Sequence, residues 1–134
     1  MFRWFPDSFN ATHDKTEENL KKLFSFLLND YDFNFSKEIL ENATDKNGKF
    51  FFCGPLNLYQ FYNENVCINI LHLVQRDDYN VYVTDQKSKD QMYIRSGYEL
   101  PVRLAYDSAL LAKEIKQSVL NHGEIFGYKI HPDR

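Results

Sequence analysis

The sequence predicts an α+β fold in which an antiparallel β-sheet of four to six strands, a meander, is covered on one face by an N-terminal and a C-terminal helix. The stretch from Val66 to Gln75 is largely apolar, which is typical of a central strand buried on both faces. Shorter segments on either side alternate polar and apolar residues, which is the period of strands. Apolar residues recur at helical spacing near both ends of the chain, so two amphipathic helices are expected to pack on the sheet.

Length and composition indicate one globular domain spanning residues 1–134. A chain of 134 residues buries roughly two-thirds of the surface that its unfolded form exposes, which is enough for one core. Hydrophobic residues make up 43% of the chain and charged residues 26%, a balance typical of globular proteins. The aromatic content is unusual, with twelve Phe and nine Tyr, and tyrosine rings often keep their hydroxyl end in water.

The N-terminal helix is predicted to begin near Asp14, because Asp14 and Glu17 have the spacing of a capping box. The polar pair Asn29 and Asp30 is predicted to end it. Its apolar stripe, which should face the sheet, consists of Leu20, Leu23, Phe24, Leu27 and Leu28.

Six segments have the composition or the alternation of strands. Residues Asp45 to Gly48 predict a turn, and Asn63 to Asn65 predict the connection of a hairpin. Gly54 and Pro55 interrupt the second segment, because proline lacks the amide that a strand ladder uses. The stretch from Ser36 to Ala43 fits either a strand continuation or a helical turn. The predicted strands are Tyr31 to Phe35, Lys49 to Cys53, Leu56 to Tyr62, Val66 to Gln75, Tyr79 to Thr84 and Gln91 to Ser96.

The C-terminal helix is predicted from about Val102 to Asn121, and Gly123 after His122 is a plausible stop. Glu124 to Ile130 fits either a short strand or a packed tail. The apolar stripe of this helix consists of Leu104, Ser108, Leu111, Ala112, Ile115 and Val119.

Charge and apolar patterning restrict the compartment and the partners. The chain has a net charge of −3 and therefore lacks the excess of Lys and Arg that direct nucleic-acid binding requires. We therefore expect no direct binding to DNA or RNA. No run approaches the roughly 20 apolar residues of a membrane span, so we expect a soluble cytoplasmic protein. Cys53 and Cys67 are interpreted as buried free thiols.

The sequence contains no motif for catalysis or metal binding, so we expect no enzyme activity, no metal and no cofactor. None of the four histidines stands in a metal-ligand spacing. His72 lies in the predicted central strand, where a buried structural histidine is the favoured interpretation. The pair Asp77 and Asp78 is interpreted as a solvated turn rather than an acid/base site, because adjacent carboxylates in a turn usually point apart.

Tyrosines and carboxylates in or beside the predicted strands suggest a surface that binds a protein. Tyrosine supplies contact area for little lost side-chain freedom, and carboxylates around it attract a basic partner. A second interpretation is that the tyrosines cover the sheet face that the helices leave bare. The predicted partner-binding residues are Tyr59, Tyr62, Asp77, Asp78, Tyr79, Tyr82, Asp85, Asp90, Tyr93, Tyr98 and Glu99.

A family resemblance joins these features. In its size, its isoelectric point near 5.8, its aromatic strands from Gly54 through Tyr59 to Val83 and its terminal helix, the chain resembles immunity proteins of bacterial contact-dependent growth inhibition systems. The resemblance is to a class and transfers no residue role. It implies a protein, monomeric before binding, that neutralises a cognate toxin C-terminal domain, commonly a nuclease, by covering its active-site cleft.

Two other classes of function stay open at this point. A small α+β enzyme acting on a nucleotide or a sugar would need a pocket in which several titratable groups converge. A homodimeric structural or regulatory protein would need a self-complementary apolar patch.

Overall fold

Five antiparallel strands form a meander in which each strand pairs with the next one along the chain. The structure, a computed structural model, describes residues 7–73 and 78–131, and within these it describes the backbone alone for residues 7–14 and 51–54. The predicted α+β class and the antiparallel meander are confirmed. The strands of the large sheet are β1 (Asn34–Thr44), β2 (Phe50–Tyr62), β3 (Cys67–Leu73), β4 (Asp78–Thr84) and β5 (Tyr98–Glu99).

Helices precede the sheet, interrupt it and follow it, and a small hairpin comes after the last of them. No helix in the described part of the chain is long and apolar enough to cross a membrane. The helices are α1 (Asp7–Leu23), α2 (Ser25–Asp30), α3 (Gln91–Arg95), α4 (Val102–Ala105) and α5 (Ser108–His122), and the hairpin consists of β6 (Glu124–Ile125) and β7 (Tyr128–Lys129).

The first face of the sheet packs against the N-terminal and C-terminal helices, as predicted. Phe24, at the junction of α1 and α2, lies with its ring centroid 4.9 Å from that of Phe61 in β2. Ile115 of α5 belongs to the same buried cluster as Ile68 and Val81 of the central strands. The helical stripes predicted from the sequence therefore form the larger of two cores on this sheet.

The second face is also buried, although the helices at the two chain ends do not cover it. Leu58 and Leu71 form a second core there with Ile94 from α3. Gln60 Nε2 donates a hydrogen bond to the carbonyl of Ser88 at 2.8 Å, which holds the loop after β4 against this face. Because both faces are covered, β3 is buried at all seven positions, as predicted for this strand.

A buried polar network crosses the second face. Gln60 Nε2 donates to Asn69 Oδ1 at 2.7 Å, and Asn69 Nδ2 donates to Thr84 Oγ1 at 3.0 Å. Cys67 Sγ donates to Asn69 Oδ1 at 3.2 Å. Each buried amide therefore has a partner, which is the condition for keeping such groups inside a core. Cys67 is a buried free thiol, as predicted, and the side chain of Cys53 lies outside the described part.

The segment from Gln91 to Ser96 contains the helix α3 and its C-cap Ser96, so its prediction as a strand is wrong. The side chain of Asp90 accepts a hydrogen bond from the amide of Met92 at 3.0 Å and caps the first turn. Met92 and Ile94 alternate over only five helical residues, and so short a segment fits the period of a strand as well as that of a helix.

The second strand runs without a break through Gly54 and Pro55, where the sequence predicts an interruption. In the register, Leu40 pairs with Leu56 and Asn42 pairs with Cys53, so two residues of β2 face one residue of β1. This irregularity is a β-bulge, and a bulge is one of the few places in a ladder where proline fits. The ambiguous stretch from Ser36 to Ala43 is part of β1.

Helix boundaries differ from the predictions at two places. The first helix begins at Asp7 rather than near Asp14, and the chain leaves it at Phe24 before α2 begins. The C-terminal helix is divided, because the Asp107 side chain caps a new helix by accepting from the amide of Leu110 at 3.0 Å. The predicted stop is confirmed, since Gly123 adopts a left-handed conformation with φ 66°.

Candidate protein-binding surface

Two of the predicted interface tyrosines lie in the cores. Tyr59 is 0% exposed and faces the helices, and Tyr82 is 2% exposed on the second face, where Arg95 Nη1 donates to its hydroxyl at 3.2 Å. Their predicted position on the exterior is therefore wrong. Strand alternation leaves a wet face only where the sheet is open, and here α3 and the loop before it close the second face.

Three further predicted residues are half-buried. The Tyr79 ring stacks on His72 with centroids 4.1 Å apart and planes at 5°. The ammonium group of Lys87 lies over the ring of Tyr62, 5.2 Å from the ring centroid. Asp78 accepts a hydrogen bond from the hydroxyl of Tyr106 at 2.9 Å, whereas Asp77 lies outside the described residues.

The groups considered from the sequence as an acid/base site do not converge on the adjacent cleft. His72 is 1% exposed, in keeping with a structural histidine. A cleft of about 500 Å³ between α1 and the start of α5 has Tyr79 in its wall, together with Lys15 and Ser108. Neither His72 nor Asp78 belongs to that lining.

Four aromatic rings gather where β4 ends, beside α3, β5 and the small hairpin. Tyr98 is 45% exposed and stacks on Phe126 with ring centroids 5.6 Å apart. Tyr93 and Tyr128 line one cleft of about 150 Å³ nearby. We call Tyr93, Tyr98, Phe126 and Tyr128 the aromatic patch. It contains two of the predicted interface residues, Tyr93 and Tyr98.

The cleft within this patch contains a carboxylate. Asp85 is exposed and accepts a hydrogen bond from the Tyr93 hydroxyl. We call this cleft, which is lined by Thr84, Asp85, Tyr93, Ser96, Gly97 and Tyr128, the Asp85 cleft.

The pKa of Tyr93 reports the electrostatic character of the Asp85 cleft. Desolvation raises this pKa above its ordinary value, and the hydrogen bond to Asp85 and the charge of that carboxylate raise it further. The phenol of Tyr128 adds a smaller contribution in the same direction. Tyr93 therefore stays protonated and continues to donate to Asp85 at neutral pH.

The two other exposed carboxylates of the predicted set have contacts within the protein. Glu99 lies 3.4 Å from the Lys46 ammonium, in an exposed ion pair of the kind that is easily exchanged for another partner. Asp90 is the cap of α3. The structure thus brings Asp85 directly into the aromatic patch, and Glu99 follows Tyr98 in β5.

The sequence interpretation missed Phe126 and Tyr128, because it assigned no interface role to the C-terminal segment. The available signal was Gly127, which stands between two residues of high strand propensity and allows a two-residue hairpin turn. Phe126 has a φ of 48° and Gly127 a φ of 89°. Both central residues of the turn are therefore left-handed, which is common for Asn-Gly and uncommon for an aromatic residue.

Within the part of the chain that the structure describes, no group of three or more His, Cys, Asp or Glu side chains is placed to hold a metal ion. Comparison with known proteins found no matching family model, no matching curated protein and no matching solved structure.

Proposed function

We propose that the protein is an immunity protein that binds and neutralises a cognate bacterial toxin domain through the aromatic patch and its carboxylates. The chain covers the active-site cleft of that domain, which in this proposal is a nuclease cleft with basic residues. The proposal assigns no reaction, metal or cofactor to the chain itself.

The stacked pair of Tyr98 and Phe126 is the observation that carries this proposal. Tyr98 presents almost half of its surface to solvent while Phe126 holds its ring in place. A large aromatic side chain that is ordered before binding loses little conformational freedom in a complex, and such residues dominate binding energies.

Charge supports a basic partner. Asp85 is exposed in the patch, Glu99 is an exposed carboxylate that follows Tyr98 in β5, and the whole chain has a net charge of −3. Carboxylates at an aromatic surface raise the association rate with a basic protein and disfavour acidic partners. A nuclease cleft has this basic character because it binds phosphates.

The proposal predicts that the gene upstream of this one encodes the cognate toxin domain, and the first test is co-expression of this chain with that domain. Growth should be restored by the parent chain, and the purified chain alone should be a monomer. Tyr98→Ala should weaken the complex by about 30-fold, equivalent to about 2 kcal/mol, since it removes a preordered aromatic anchor. Isothermal titration calorimetry measures this difference.

Tyr106→Ala is the matched control, because Tyr106 is similarly exposed, at 51%, but contacts Asp78 at the opposite end of β4. It should leave affinity for the toxin domain unchanged. A complex that tolerates Tyr98→Ala and loses affinity with Tyr106→Ala would place the interface elsewhere. Absence of any complex, with no protection of growth, would contradict the proposed function.

A further inference from the structure

We infer that the Asp85 cleft receives the guanidinium group of an arginine from the partner protein. The inference deepens the proposed function and depends on it for the identity of the partner, because it names the group by which a basic toxin domain is recognised.

The size of the cleft fits one side-chain head group. Its volume is about 150 Å³, whereas pockets for drug-sized ligands run from roughly 300 to 1,000 Å³. Gly97 of the lining directly precedes Tyr98, and Tyr128 belongs to the same hairpin as Phe126, on which Tyr98 stacks. A partner that covers Tyr98 therefore lies next to the cleft. A protruding side chain of a docked protein therefore matches the site better than a metabolite does.

The lining of the cleft has the chemistry that recognises a cation. It combines the rings of Tyr93 and Tyr128 with the carboxylate of Asp85, and no lysine or arginine belongs to it. Ring faces attract cations, and a charged acceptor strengthens each hydrogen bond that the cation donates. The Tyr93 hydroxyl uses part of the acceptor capacity of Asp85, and a carboxylate has further lone pairs for an incoming donor.

These features favour arginine over lysine. A guanidinium group is planar, so it can stack on a phenol ring while its edge donates to a carboxylate. It is also more weakly hydrated than an ammonium group, which lowers the cost of entering a narrow cleft. The Ser96 hydroxyl donates to the carbonyl of Tyr93 at 2.6 Å, which leaves its oxygen as an additional acceptor at the rim.

The floor of the cleft is formed before any partner binds. A Cβ atom on Gly97 would lie 2.5 Å from the carbonyl oxygen of Val83 and 2.7 Å from Cγ2 of Thr84. The chain therefore approaches β4 at Gly97 as closely as a residue without a side chain allows. A preformed site needs little ordering on binding, which favours the affinity of a small charged group.

The test uses the folded protein and small probes, so it does not require the toxin. Titration with Nα-acetyl-L-arginine amide, followed by NMR, should shift the amide signals of Asp85, Gly97 and Tyr128 with a Kd on the order of 1 mM. The neutral citrulline analogue should not bind, and the lysine analogue should bind more weakly. Asp85→Asn should weaken arginine binding about tenfold, as expected for loss of a charge-assisted contact.

Asp30→Asn is the matched control, since Asp30 is an exposed carboxylate at the end of α2 and outside the cleft. It changes the net charge equally and should leave the Kd for arginine unchanged. Equal weakening by both variants would reduce the effect to long-range charge and overturn the inference. Binding of the lysine analogue as tightly as the arginine analogue would also overturn the assignment to a guanidinium.

The inference and the proposed function fail in different ways. Protection of growth with no arginine-dependent shifts would remove the role of the cleft and leave the immunity function intact. Arginine binding to the isolated protein without any toxin complex would support the cleft and contradict the immunity function. In each variant, amide signals of Asn69 and Gln60 that match those of the parent would show that the fold is retained, because both residues are buried on the second face.

Discussion

Phe126 occupies a backbone conformation that few aromatic residues adopt. Its φ of 48° lies in the left-handed region, which costs a residue with a side chain about 1–2 kcal/mol. Asparagine is far more common at such a turn position, because its side chain tolerates this conformation. The ring that this turn displays lies against exposed Tyr98, and strain kept at a surface site points to a functional role.

Replacing this residue should separate stability from binding. Phe126→Asn removes backbone strain of about 1 kcal/mol and loses a ring contact of about the same size. It also removes a half-buried ring that packs against the first core, which costs roughly 1–2 kcal/mol more. The free energy of unfolding, measured in urea, should therefore fall by only about 1–2 kcal/mol, because the relieved strain offsets part of the lost packing. Affinity for the proposed toxin partner should fall about tenfold or more, since the support of Tyr98 is lost.

Two results would contradict this account of Phe126. A loss of stability of more than about 3 kcal/mol would identify its ring as a core residue. An unchanged affinity for the proposed toxin partner, with the parent chain binding it, would show that the ring lies outside the interface.

At the scale of elements, short side-chain contacts determine where the helices begin and end. The cap at Asp107 divides the C-terminal helix into α4 and α5, and the cap at Asp90 turns a segment with strand-like alternation into α3. Hydrophobic periodicity alone predicts a strand where Asp90 caps α3, and one continuous helix where Asp107 starts α5. A single cap thus has a measurable effect on the stability of the element that it starts.

Removing the cap of α5 should destabilise the protein. Asp107→Ala leaves the amide of Leu110 without its acceptor and should lower the free energy of unfolding by about 1 kcal/mol. Thermal and urea unfolding measure this change. Asp30→Ala at the exposed end of α2 is the control and should have an effect below about 0.5 kcal/mol. Equal effects of the two variants would mean that the cap contributes little.

The sequence predicts those elements in which the hydrophobic spacing repeats over many residues. It does not predict those whose structure or burial depends on a few individual contacts. The apolar stripes through Leu27 and Ile115 predicted the helices that cover the first face, and the alternation around Tyr79 and Val81 predicted β4. In contrast, the strand period around Tyr82 could not reveal that α3 folds over the second face. Whether a strand tyrosine is buried depends on that long-range packing, which local alternation does not encode.

The aromatic patch was predictable only in part for the same reason. The sequence predicts interface roles for Asp85, Tyr93 and Tyr98, because they are aromatic or acidic residues in or beside the predicted strands. Phe126 and Tyr128 join them through a two-residue turn that occurs far along the chain. Their proximity to Tyr98 and Tyr93 arises from packing of the small hairpin, which no periodicity indicates.

At the scale of the whole molecule, a single sheet separates two cores with different chemistry. The first core holds most of the buried apolar residues, whereas the second contains the hydrogen-bonded set around Gln60 and Asn69. Cys67 belongs to this set, and burial raises the pKa of its thiol from 9.0 to about 12. Folding thus keeps this thiol protonated under conditions in which the unfolded chain ionises it.

The thiol should make global stability fall in alkaline solution. The unfolded thiol ionises near pH 9 and the folded one near pH 12, so between these values the unfolded state binds fewer protons. The thiol's contribution to the free energy of unfolding is therefore fully present below pH 9. As the pH rises above 9, the free energy of unfolding should fall by up to about 1.4 kcal/mol per pH unit. Urea unfolding of the parent and of Cys67→Ala across this pH range isolates the contribution of the Cys67 thiol. All other titratable groups are present in both proteins, so their effects cancel in the comparison.

The parent should lose stability more steeply than Cys67→Ala above pH 9. Parallel curves for the two chains would mean that the thiol ionises equally in the folded and unfolded states. The same burial predicts slow reaction of Cys67 with thiol reagents in the native protein.

The side chain of Gln91 reaches the outer border of the sheet. Its Nε2 donates to the carbonyl of Asn42 at 2.7 Å, and its Oε1 accepts from the amide of Thr44 at 3.0 Å. These are backbone groups of β1, the strand at the margin of the sheet. Because the Gln91 amide occupies these hydrogen-bonding groups, a strand of another molecule cannot pair with them. This end of β1 is therefore protected from the edge-to-edge strand pairing that starts aggregation.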